Sequence, residues 1–326
     1  MPRKNGLLTE DRVVVTGGAG FIGSHLVEAL LRRGHRVIVI DNFSEGRMSN
    51  LDDCRGDHRL TIVRSDVRDP RISRVVRRAS AIYHLAALVG VRTSLENPME
   101  VNDVNVDGTL NLLMASERNR VGRFVYASSA AVYGFNKSAV QKETTPATPG
   151  TPYAISKLAG EMYCKMFHEC YGLNTVSLRL FNVYGPRQRS SPYAGVITSF
   201  VSRILARKPL VIFGNGRQVR DFIFVSDALQ ALLLSLESEE AIGKTINIGT
   251  GRPTSINELA RSVLQLSGHE RFPVVRKPAR EGDIRHSCAE VTVARHSLGY
   301  APQIELRDGL RTTLSFFGRD ARRTIR

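Results

Sequence analysis

A glycine-rich turn near the amino terminus constrains this chain more than any other feature. The segment Thr16–His25 reads TGGAGFIGSH and directly follows the apolar run Val13–Val15. Gly17 permits a tight turn, Gly20 lets the backbone approach a pyrophosphate, and Gly23 lets the following helix pack closely on the strand. The free N–H groups at the start of that helix then face the phosphates. A strand, a glycine turn and a helix in this order predict a dinucleotide-binding site.

Apolar strand-like runs alternate with helix-like segments through the first 180 residues. The strand-like runs are Val13–Val15, Val37–Ile40, Leu60–Val63, Ala81–Leu85, Arg123–Ala127 and Thr175–Leu180. The helix-like segments are Phe21–Arg33, Pro98–Glu117 and Pro152–Tyr171. This alternation predicts an α/β fold, a doubly wound parallel Rossmann sheet with helices on both faces.

The character of the sequence changes after Phe181, where turn signals multiply and the elements become shorter. This change predicts a smaller, interleaved C-terminal substrate-binding domain. We therefore assign residues 1–180 to the Rossmann domain and residues 181–326 to the substrate domain. A segment at about 221–250 is apolar enough to return to the first domain.

The charge of the chain is strongly positive, with 46 Lys and Arg against 31 Asp and Glu and a formal net charge of +15. Such a charge suits an anionic partner. The arginines are dispersed, however, and no basic stripe with interleaved aromatic residues appears, so we expect no specific nucleic-acid partner. No apolar run approaches the roughly 20 residues that cross a bilayer, so no membrane span is expected.

The four cysteines indicate neither a metal site nor a disulfide framework. Cys164 and Cys170 lie six residues apart on a predicted helix, which is not a metal-ligand spacing. The first six residues have no apolar segment behind them, so no signal peptide is visible. Few cysteines without a secretion signal fit reduced thiols, and we expect a cytoplasmic protein without a bound metal.

Acidic residues follow the second and third strands. Asp41 lies 18 residues after Gly23, where a carboxylate accepts hydrogen bonds from a ribose hydroxyl and repels a 2′-phosphate. NAD is therefore favoured over NADP. Arg47 would favour NADP if its side chain reached the 2′-phosphate, but it lies in a loop where it can simply be solvated. Asp66 is placed to reach the adenine amino group, or to cap the helix that follows.

Tyr153 and Lys157 form the candidate catalytic pair. Residues i and i+4 share one face of a helix, and a nearby cation is expected to lower the tyrosine pKa from about 10. The YxxxK pattern is weak, since Tyr133–Lys137 also matches it, but Gly134 indicates a turn there. Pro152 opens a helix directly before Tyr153, which favours the second match.

Polar residues end the fourth and fifth strands, at the cofactor edge of such a sheet. A hydroxyl at Ser128 or Ser129 can bond the reacting oxygen of a substrate and relay its proton, or can make a strand-end turn bond. Tyr153, 24 residues downstream, favours the catalytic role for Ser129. His84 is expected to be a packed structural residue.

Taken together, these motifs resemble the extended short-chain dehydrogenase/reductase family, and within it the NAD-dependent nucleotide-sugar 4-epimerases. The GxxGxxG spacing already favours that branch. The matching segments, in order from residue 13 to about 310, include TGGAGFIGSHL (16–26), DNFS (41–44), SDV (65–67), HLAA (84–87), NVDGTLNLL (105–113), SSAAVYG (128–134), YAISK (153–157), RLFNVYGPRQ (179–188), GNGRQVRDFIFVSDA (214–228), NIGTG (247–251) and REGDIRHS (280–287).

The resemblance implies a mechanism and a set of cofactor contacts. Tyr153 takes the proton of the sugar 4-hydroxyl, with Ser129 as its acid/base partner and Lys157 on the cofactor. NAD⁺ takes the C4 hydride and returns it to the opposite face of the 4-keto sugar. Asn105 resembles a family asparagine that supports the catalytic helix, with a helix cap as the alternative. The implied NAD contacts are Gly17, Gly20, Phe21, Ile22, Gly23, Asp41, Asn42, Ser44, Asp66, Val67, Leu85, Ala86, Ala87, Asn105, Ser128, Tyr153 and Lys157.

The resemblance also implies contacts to a UDP-sugar substrate. Arg220 and Arg280 are expected on the diphosphate, where Arg–phosphate bonds are strong, with ion pairs to Asp221 and Glu281 as alternatives. In similar enzymes a bulky aromatic at the position of Ser287 excludes 2-acetamido sugars. Ser287 therefore predicts UDP-GlcNAc/UDP-GalNAc as well as UDP-Glc/UDP-Gal. The implied substrate contacts are Ser94, Ser129, Asn182, Val196, Gln218, Arg220, Arg280, Asp283 and Ser287.

Other reactions of the family are the alternatives. The 4,6-dehydratases carry Asp-Glu where this chain has Ala130 and Ala131, and the decarboxylases keep a Glu there, so simple epimerisation is favoured. Arg92 replaces a proline near the sugar and would admit a uronate, which keeps a UDP-glucuronate 4-epimerase open. A non-catalytic NAD-binding regulator is a further alternative. Similar enzymes pair through their two long helices, which predicts a homodimer.

Overall fold

The computed structural model of the protein describes residues 11–136, 138–188, 195–279 and 284–324. Its strands are β1 (Arg12–Thr16), β2 (Arg36–Asp41), β3 (Leu60–Arg64), β4 (Ala81–His84), β5 (Arg123–Ser129), β6 (Thr175–Leu180), β7 (Asn182–Tyr184), β8 (Leu210–Phe213), β9 (Val219–Phe224), β10 (Thr245–Ile248), β11 (Pro253–Ser255), β12 (Val274–Lys277) and β13 (His286–Ser287). Its α-helices are α1 (Phe21–Arg32), α2 (Ile72–Val75), α3 (Val91–Glu96), α4 (Pro98–Asn102), α5 (Gly108–Arg118), α6 (Pro152–Tyr171), α7 (Val196–Leu205), α8 (Val225–Glu237), α9 (Ile256–Leu266), α10 (Thr292–Leu298) and α11 (Leu306–Thr324).

Seven strands form one parallel sheet in the order β10-β6-β5-β4-β1-β2-β3. The interior strand β1 directs Val13 and Val15 to one face and Val14 to the other, as the two-residue period of a strand requires. Helices α1, α8 and α10 cover the first face, and α2, α5 and α6 cover the second. All three valines are fully buried for this reason. The predicted doubly wound α/β fold is confirmed.

Helix α6, which carries the candidate catalytic pair, has well-defined ends and packs very closely on the sheet. Thr151 Oγ1 accepts a hydrogen bond from a first-turn N–H, and Pro152 occupies the first turn. Gly172 ends the helix in the left-handed conformation, with φ of 70°. In the middle of the helix, a Cβ at Gly160 would lie 2.3 Å from the Tyr126 phenol oxygen on β5. The absence of a side chain at Gly160 therefore sets the distance between α6 and β5.

The single helix predicted near Pro98–Glu117 is wrong in detail. The chain forms α4 and α5, separated by a π-helical turn over Asp103–Asp107. Such turns insert an extra residue and occur often at functional sites. This one places the Asn105 side chain in the interior, where it is 1% exposed.

The chain beyond β6 forms smaller sheets and a separate core. Strand β9 pairs with β7, β11 and β13, and β8 pairs with β12. Helices α7, α9 and α11 pack together around a core that includes Phe200, Leu259 and Leu310. Between these elements the chain returns to the large sheet, because α8 packs on α1 and β10 pairs with β6.

We expect the Gly160→Ala variant to be less stable than the wild type by about 1–3 kcal/mol, because the added methyl group overpacks against Tyr126. Gly318→Ala in α11 is the matched control. A Cβ there would meet nothing within 4 Å, and Ala is favoured over Gly in a helix by roughly 0.5–1 kcal/mol. Urea unfolding of both variants measures the difference. A Gly160→Ala variant as stable as the control would contradict the close packing of α6.

Candidate active site

The glycine turn between β1 and α1 excludes side chains at two positions. Gly17 has a φ of +68°, and a Cβ there would lie 2.8 Å from the Ala86 nitrogen. A Cβ at Gly23 would lie 2.1 Å from the Gly17 carbonyl oxygen. The first turn of α1 therefore approaches the end of β1 as closely as the backbone allows, as the sequence predicted for this motif.

Helix α1 begins without a side-chain cap. Its N-cap residue is Gly20 in an extended conformation, and Phe21 and Ile22 open the helix. The first N–H groups of a helix have no partner within it and bind phosphate readily. The glycine turn therefore fits the pyrophosphate of a dinucleotide.

Asp41, at the end of β2, organises the glycine turn from the neighbouring strand. Its Oδ2 accepts a hydrogen bond from the Ala19 N–H (2.9 Å), and its Oδ1 accepts one from the Phe43 N–H (2.8 Å). Burial raises the pKa of Asp41, and these two hydrogen bonds oppose that shift. Asn42 Oδ1 accepts hydrogen bonds from the Ser44 N–H and hydroxyl. The predicted ribose contacts thus share one short loop.

Asp66, the predicted adenine contact, is ion-paired within its own loop. Arg68 Nε and Nη2 donate to its two oxygens at 2.8 and 2.9 Å, and Asn42 Nδ2 donates at 3.1 Å. The hydrogen bonds of Arg68 lower the pKa of Asp66 to about 2. The interpretation of Asp66 as a helix cap is wrong, because the N–H it accepts from is that of Arg68, before α2 begins. Val67 packs beside it against Gly108 of α5.

His84, at the end of β4, is a packed structural residue, as predicted. Its ring nitrogens lie 2.8 Å from Thr16 Oγ1 and 2.9 Å from Thr109 Oγ1. Burial lowers the pKa of His84 to about 3, so the ring is neutral at pH 7. The segment Leu85–Ala87 continues past it, and the Ala86 N–H donates to Thr16 Oγ1 at 3.2 Å. His84 thereby fixes the end of β4 beside the glycine turn.

Ser129 and Tyr153, the predicted acid/base partners, lie together in the structure. Ser129 ends β5, and its Oγ accepts a hydrogen bond from the Ala131 N–H at 3.2 Å. A 3-10 turn over Ala130–Tyr133 follows. Tyr153 lies in the first turn of α6, and its phenol is close enough to the Ser129 hydroxyl for that group to lower the phenol pKa against the effect of burial. The hydroxyl pair therefore spans the gap between β5 and α6.

Lys157 lies one turn further along the same face of α6 and is buried. Its Nζ donates a hydrogen bond to the Ala127 carbonyl oxygen at 2.8 Å and lies 4.9 Å from the centre of the Tyr126 ring. Burial lowers the pKa of Lys157 to about 8, while the charge of Glu161 opposes that shift. The ammonium is thus held at the end of β5, and its lowered pKa lies within about one unit of neutral pH.

The expectation that Lys157 lowers the pKa of Tyr153 is wrong for this structure. Burial raises the pKa of Tyr153, and the hydrogen bond with Ser129 is the contact that lowers it. The cause is geometric, because the Lys157 ammonium donates to Ala127. In this state Tyr153 holds its proton at neutral pH.

Asn105 and Ser128 attach helix α6 to its surroundings. Asn105 Nδ2 donates to Ser156 Oγ of α6 and to the Leu88 carbonyl oxygen, both at 3.0 Å, and its Oδ1 accepts from the Leu88 N–H. Asn105 does not cap α5, so that alternative is wrong. The Ser128 hydroxyl donates to Glu161 of α6. Both side chains, predicted as cofactor contacts, engage the catalytic helix.

Two predicted substrate contacts lie opposite each other on paired strands. Arg220 of β9 and Ser287 of β13 are register partners. Arg220 Nη1 donates to the Ile284 carbonyl oxygen at 2.6 Å. Asp221, proposed above as an ion-pair partner of Arg220, is fully buried and accepts hydrogen bonds from the loop after β10 and from the Ala289 N–H. Arg220 and Ser287 therefore belong to one rigid strand pair.

The remaining predicted substrate contacts are spread over four elements. Asn182 Nδ2 donates to the backbone of β9 at 3.1 Å, and Gln218 Nε2 donates to the last carbonyl oxygen of β8 at 2.9 Å. Val196 is the first residue of α7, and Ser94 is buried in α3. Two further predicted contacts lie outside the described residues: Arg280 and Asp283.

The described part of the chain holds no group of three or more His, Cys, Asp or Glu side chains arranged to bind a metal ion. Among the described helices, none combines the length and the apolar character that a bilayer crossing needs. All four cysteines are free thiols, and Cys170 is the exposed one.

Four buried polar side chains around the site were not found from the sequence. They are Tyr133, Glu161, Arg179 and Asn247. The available signal was the spacing of Glu161, four residues after Lys157, which places both side chains on one face of a helix.

Known proteins resemble this chain over most of its length. The family model described as GDP-mannose 4,6 dehydratase matches residues 14–313. The UDP-glucose 4-epimerase of Mycolicibacterium smegmatis is 37% identical over 309 residues, 94% of this chain and 98% of that protein.

Two solved structures resemble the fold closely. The structure of UDP-N-acetylglucosamine 4-epimerase from Methanobrevibacter ruminantium, in complex with UDP-N-acetylmuramic acid, is 38% identical with a TM-score of 0.92, covering 96% of this chain and 100% of that chain. The structure of UDP-glucuronic acid 4-epimerase from Bacillus cereus, with UDP-glucuronic acid and NAD, is 32% identical with a TM-score of 0.89, covering 94% and 99%.

Proposed function

We propose, since this chain belongs to the extended short-chain dehydrogenase/reductase family, that it is an isomerase that inverts C4 of a UDP-hexose with NAD as its cofactor. One observation carries this proposal: the Tyr153 phenol lies near the Ser129 hydroxyl and one helical turn from the buried Lys157. The predicted family is confirmed by the matched family model. The predicted NAD cofactor and isomerase class agree with the relatives described above.

The residues around the glycine turn fit NAD. The uncapped start of α1 suits a pyrophosphate, and Gly17 and Gly23 let the backbone of the turn pack closely against Ala86 and against itself, which gives the turn its shape. Asp41 presents a carboxylate at the ribose position, and that charge disfavours a 2′-phosphate. When bound, NAD supplies the acceptor and donor of the C4 hydride.

The hydroxyl groups of this chain hold and move the proton. The Tyr153 oxygen is the group that takes the proton of the sugar 4-hydroxyl and returns it, with the Ser129 hydroxyl close to the same oxygen. Burial raises the pKa of Tyr153. The phenol can therefore act as a base only when a nearby positive charge stabilises the phenolate and lowers that pKa. Lys157 is buried one turn further along α6, where its ammonium donates to the Ala127 carbonyl oxygen.

The residues after Ser129 disfavour elimination and decarboxylation. Ala130 and Ala131 occupy the first two positions of the 3-10 turn that follows β5. An alanine side chain cannot transfer a proton, whereas a 4,6-dehydratase needs acidic groups there. Simple epimerisation is therefore the reaction that this turn supports.

The substrate that we propose is UDP-GlcNAc/UDP-GalNAc, with UDP-Glc/UDP-Gal as the second pair. Ser287 is small, and its partner across the strand pair is Arg220, a residue suited to a diphosphate. The alternative substrate is a UDP-uronate, whose carboxylate Arg92 would bind. That side chain is 71% exposed and pairs with Glu96 four residues away, which gives the uronate no support.

We expect Tyr153→Phe to lower kcat for C4 inversion by roughly 10²–10⁴-fold, because the variant lacks the proton-transferring hydroxyl. Purified enzyme is incubated with UDP-GlcNAc, UDP-Glc, UDP-GlcA and dTDP-Glc, and the products are separated. Undiminished inversion in the variant would refute the mechanism. A wild type that binds NAD but converts none of the four sugars would favour the non-catalytic regulator, and a 4-keto-6-deoxy product would favour a dehydratase.

Ser287→Tyr tests the predicted substrate pocket. The larger side chain fills the space beside the sugar, so turnover of UDP-GlcNAc should fall at least about tenfold relative to UDP-Glc. The ratio of kcat/KM for the two substrates is the measurement, with UDP-Glc serving as the internal control. An equal loss on both substrates would refute the role of Ser287 in selecting the sugar.

We also propose that the protein is a cytosolic homodimer. In each copy, residues 1–180 form the nucleotide-binding domain and residues 181–326 form the substrate domain. The four free thiols support a reducing compartment. An exposed apolar face on α3, α4 and α6 supports the dimer, because these helices pack side by side. This face consists of Leu95, Met99, Ile155 and Met162, which are 56–74% exposed. Large exposed apolar patches of this kind mark interaction surfaces.

A Met99→Glu/Met162→Glu variant is expected to be monomeric, because two charges would then be buried in the interface. Light scattering gives the mass. Val275→Glu on β12 is the control, since Val275 is an exposed apolar residue elsewhere on the surface, at 43%. A wild-type protein with the mass of a monomer would overturn the proposal.

A further inference from the structure

Five polar side chains that the proposed mechanism does not use are buried around the carboxyl ends of β5 and β6. They are Ser128, Tyr133, Glu161, Arg179 and Asn247, and none of them is more than 7% exposed. Two of the five carry a charge. Burial of charged groups costs free energy unless they are paired with good geometry, so the location of this pair calls for a reason.

The charged pair is bidentate and connects helix α6 to strand β6. Arg179 Nε donates to Glu161 Oε1 at 2.9 Å, and Arg179 Nη2 donates to Glu161 Oε2 at 2.7 Å. Arg179 Nη1 donates to the Tyr133 oxygen at 2.9 Å, and the Tyr133 hydroxyl donates to Asn247 Oδ1 at 2.6 Å. One guanidinium thus joins α6, β6 and the turn after β5, and Tyr133 extends the connection to β10.

These contacts enclose Ser129 on both sides along the chain. Glu161 lies four residues after Lys157 and therefore faces the same way. Lys157 bonds the Ala127 carbonyl oxygen, and Glu161 accepts a hydrogen bond from the Ser128 hydroxyl. These two contacts hold the residues directly before Ser129. Tyr133 closes the 3-10 turn directly after Ser129, and it is held by Arg179.

The charge of Glu161 also acts on Lys157. Burial lowers the pKa of Lys157 to about 8, and Glu161 is one of the groups that raise it. Arg179 pairs with this carboxylate at 2.7 Å. The titratable or charged groups around Lys157 are Tyr153, Glu161 and Cys164 of α6, His84 of β4, Tyr126 of β5 and Arg179 of β6.

We propose that Glu161 and Arg179 are positioning residues for the reaction: the pair holds Ser129 in line with Tyr153 and places the Glu161 carboxylate one turn from Lys157 on the same face of α6. This inference rests on the proposed function. The competing explanation is that the pair only stabilises the fold. The two explanations differ in their effect on kcat, on the pH profile and on local backbone mobility.

The first test removes both charges together, in a Glu161→Met/Arg179→Met variant. Replacement of a complete buried pair by apolar side chains of similar size is often neutral for stability. Arg123→Met is the matched control. Arg123 lies at the other end of β5 and pairs with Glu239, and its side chain is 7% exposed against 9% for Arg179.

We expect kcat of the double variant to fall about 10- to 100-fold, since small displacements of catalytic groups cost rates of this size. KM should stay within about twofold of the wild type, because an interaction that only positions reacting groups affects kcat. The Arg123→Met control should keep its kcat. Equal kcat values in the double variant and the control, or a change confined to KM, would overturn the proposal.

The second test separates charge from position. In Glu161→Gln the negative charge next to Lys157 is lost and Arg179 stays, so the pKa of Lys157 falls further. The alkaline limb of the kcat profile should therefore move to lower pH by roughly one unit. Ser128→Ala leaves the charges in place and should leave the limb unmoved while lowering kcat. An unmoved limb in Glu161→Gln would overturn the role of its charge.

A third measurement does not depend on turnover. Amide hydrogen exchange by mass spectrometry is followed for the peptides that cover residues 127–133 in wild type, double variant and control. The double variant should exchange faster in these peptides, and Arg123→Met should not. If the wild type converts no UDP-sugar, the proposed function fails while this comparison still decides whether the pair holds Ser129. Equal exchange in all three proteins would overturn the positioning role.

Discussion

The packing of helix α6 against the carboxyl ends of β5 and β6 is the constraint on which the rest of the site depends. Three charged side chains, Lys157, Glu161 and Arg179, enter this contact with at most 7% exposure. A charge in such a place costs several kcal/mol unless its donors and acceptors are satisfied. Each charge finds a partner within the contact, since Lys157 bonds a backbone carbonyl and the other two form a fork. The distance between helix and sheet can therefore take only a narrow range of values.

Gly160 and Gly17 show how the backbone makes this geometry possible. Gly160 brings α6 against Tyr126, and the glycine turn brings α1 against the end of β1. Neither contact would be possible with a side chain at the glycine. Both lie near the edge formed by the carboxyl ends of the parallel strands, where the glycine turn and the first turns of α6 are found. In an open α/β sheet that edge is where ligands bind. The cofactor turn and the catalytic helix are thus placed by the same physical means, the removal of a side chain at a contact.

Much of this arrangement follows from the sequence, and the remainder has physical reasons. The strand runs and the start of α6 were predicted closely because apolar periodicity and Pro152 are local signals. The break at Asp103–Asp107 was missed, since a π-helical turn adds one residue without a composition of its own. The pKa of Tyr153 was predicted in the wrong direction because spacing reveals a shared helix face but not the partner toward which an ammonium points.

The substrate side of the site depends on register rather than on charge. Arg220 and Ser287 are partners on adjacent strands, so backbone pairing sets the position of each of these two predicted substrate contacts relative to the other. Asp221, next to Arg220, is fully buried and accepts hydrogen bonds from the loop after β10 and from Ala289. The buried carboxylate thereby ties the strand pair to the strand that returns to the large sheet. Hydrogen bonds to one side chain therefore connect the small sheet that contains β9 and β13 to the loop that leaves β10 of the large sheet, although these segments are far apart in the sequence.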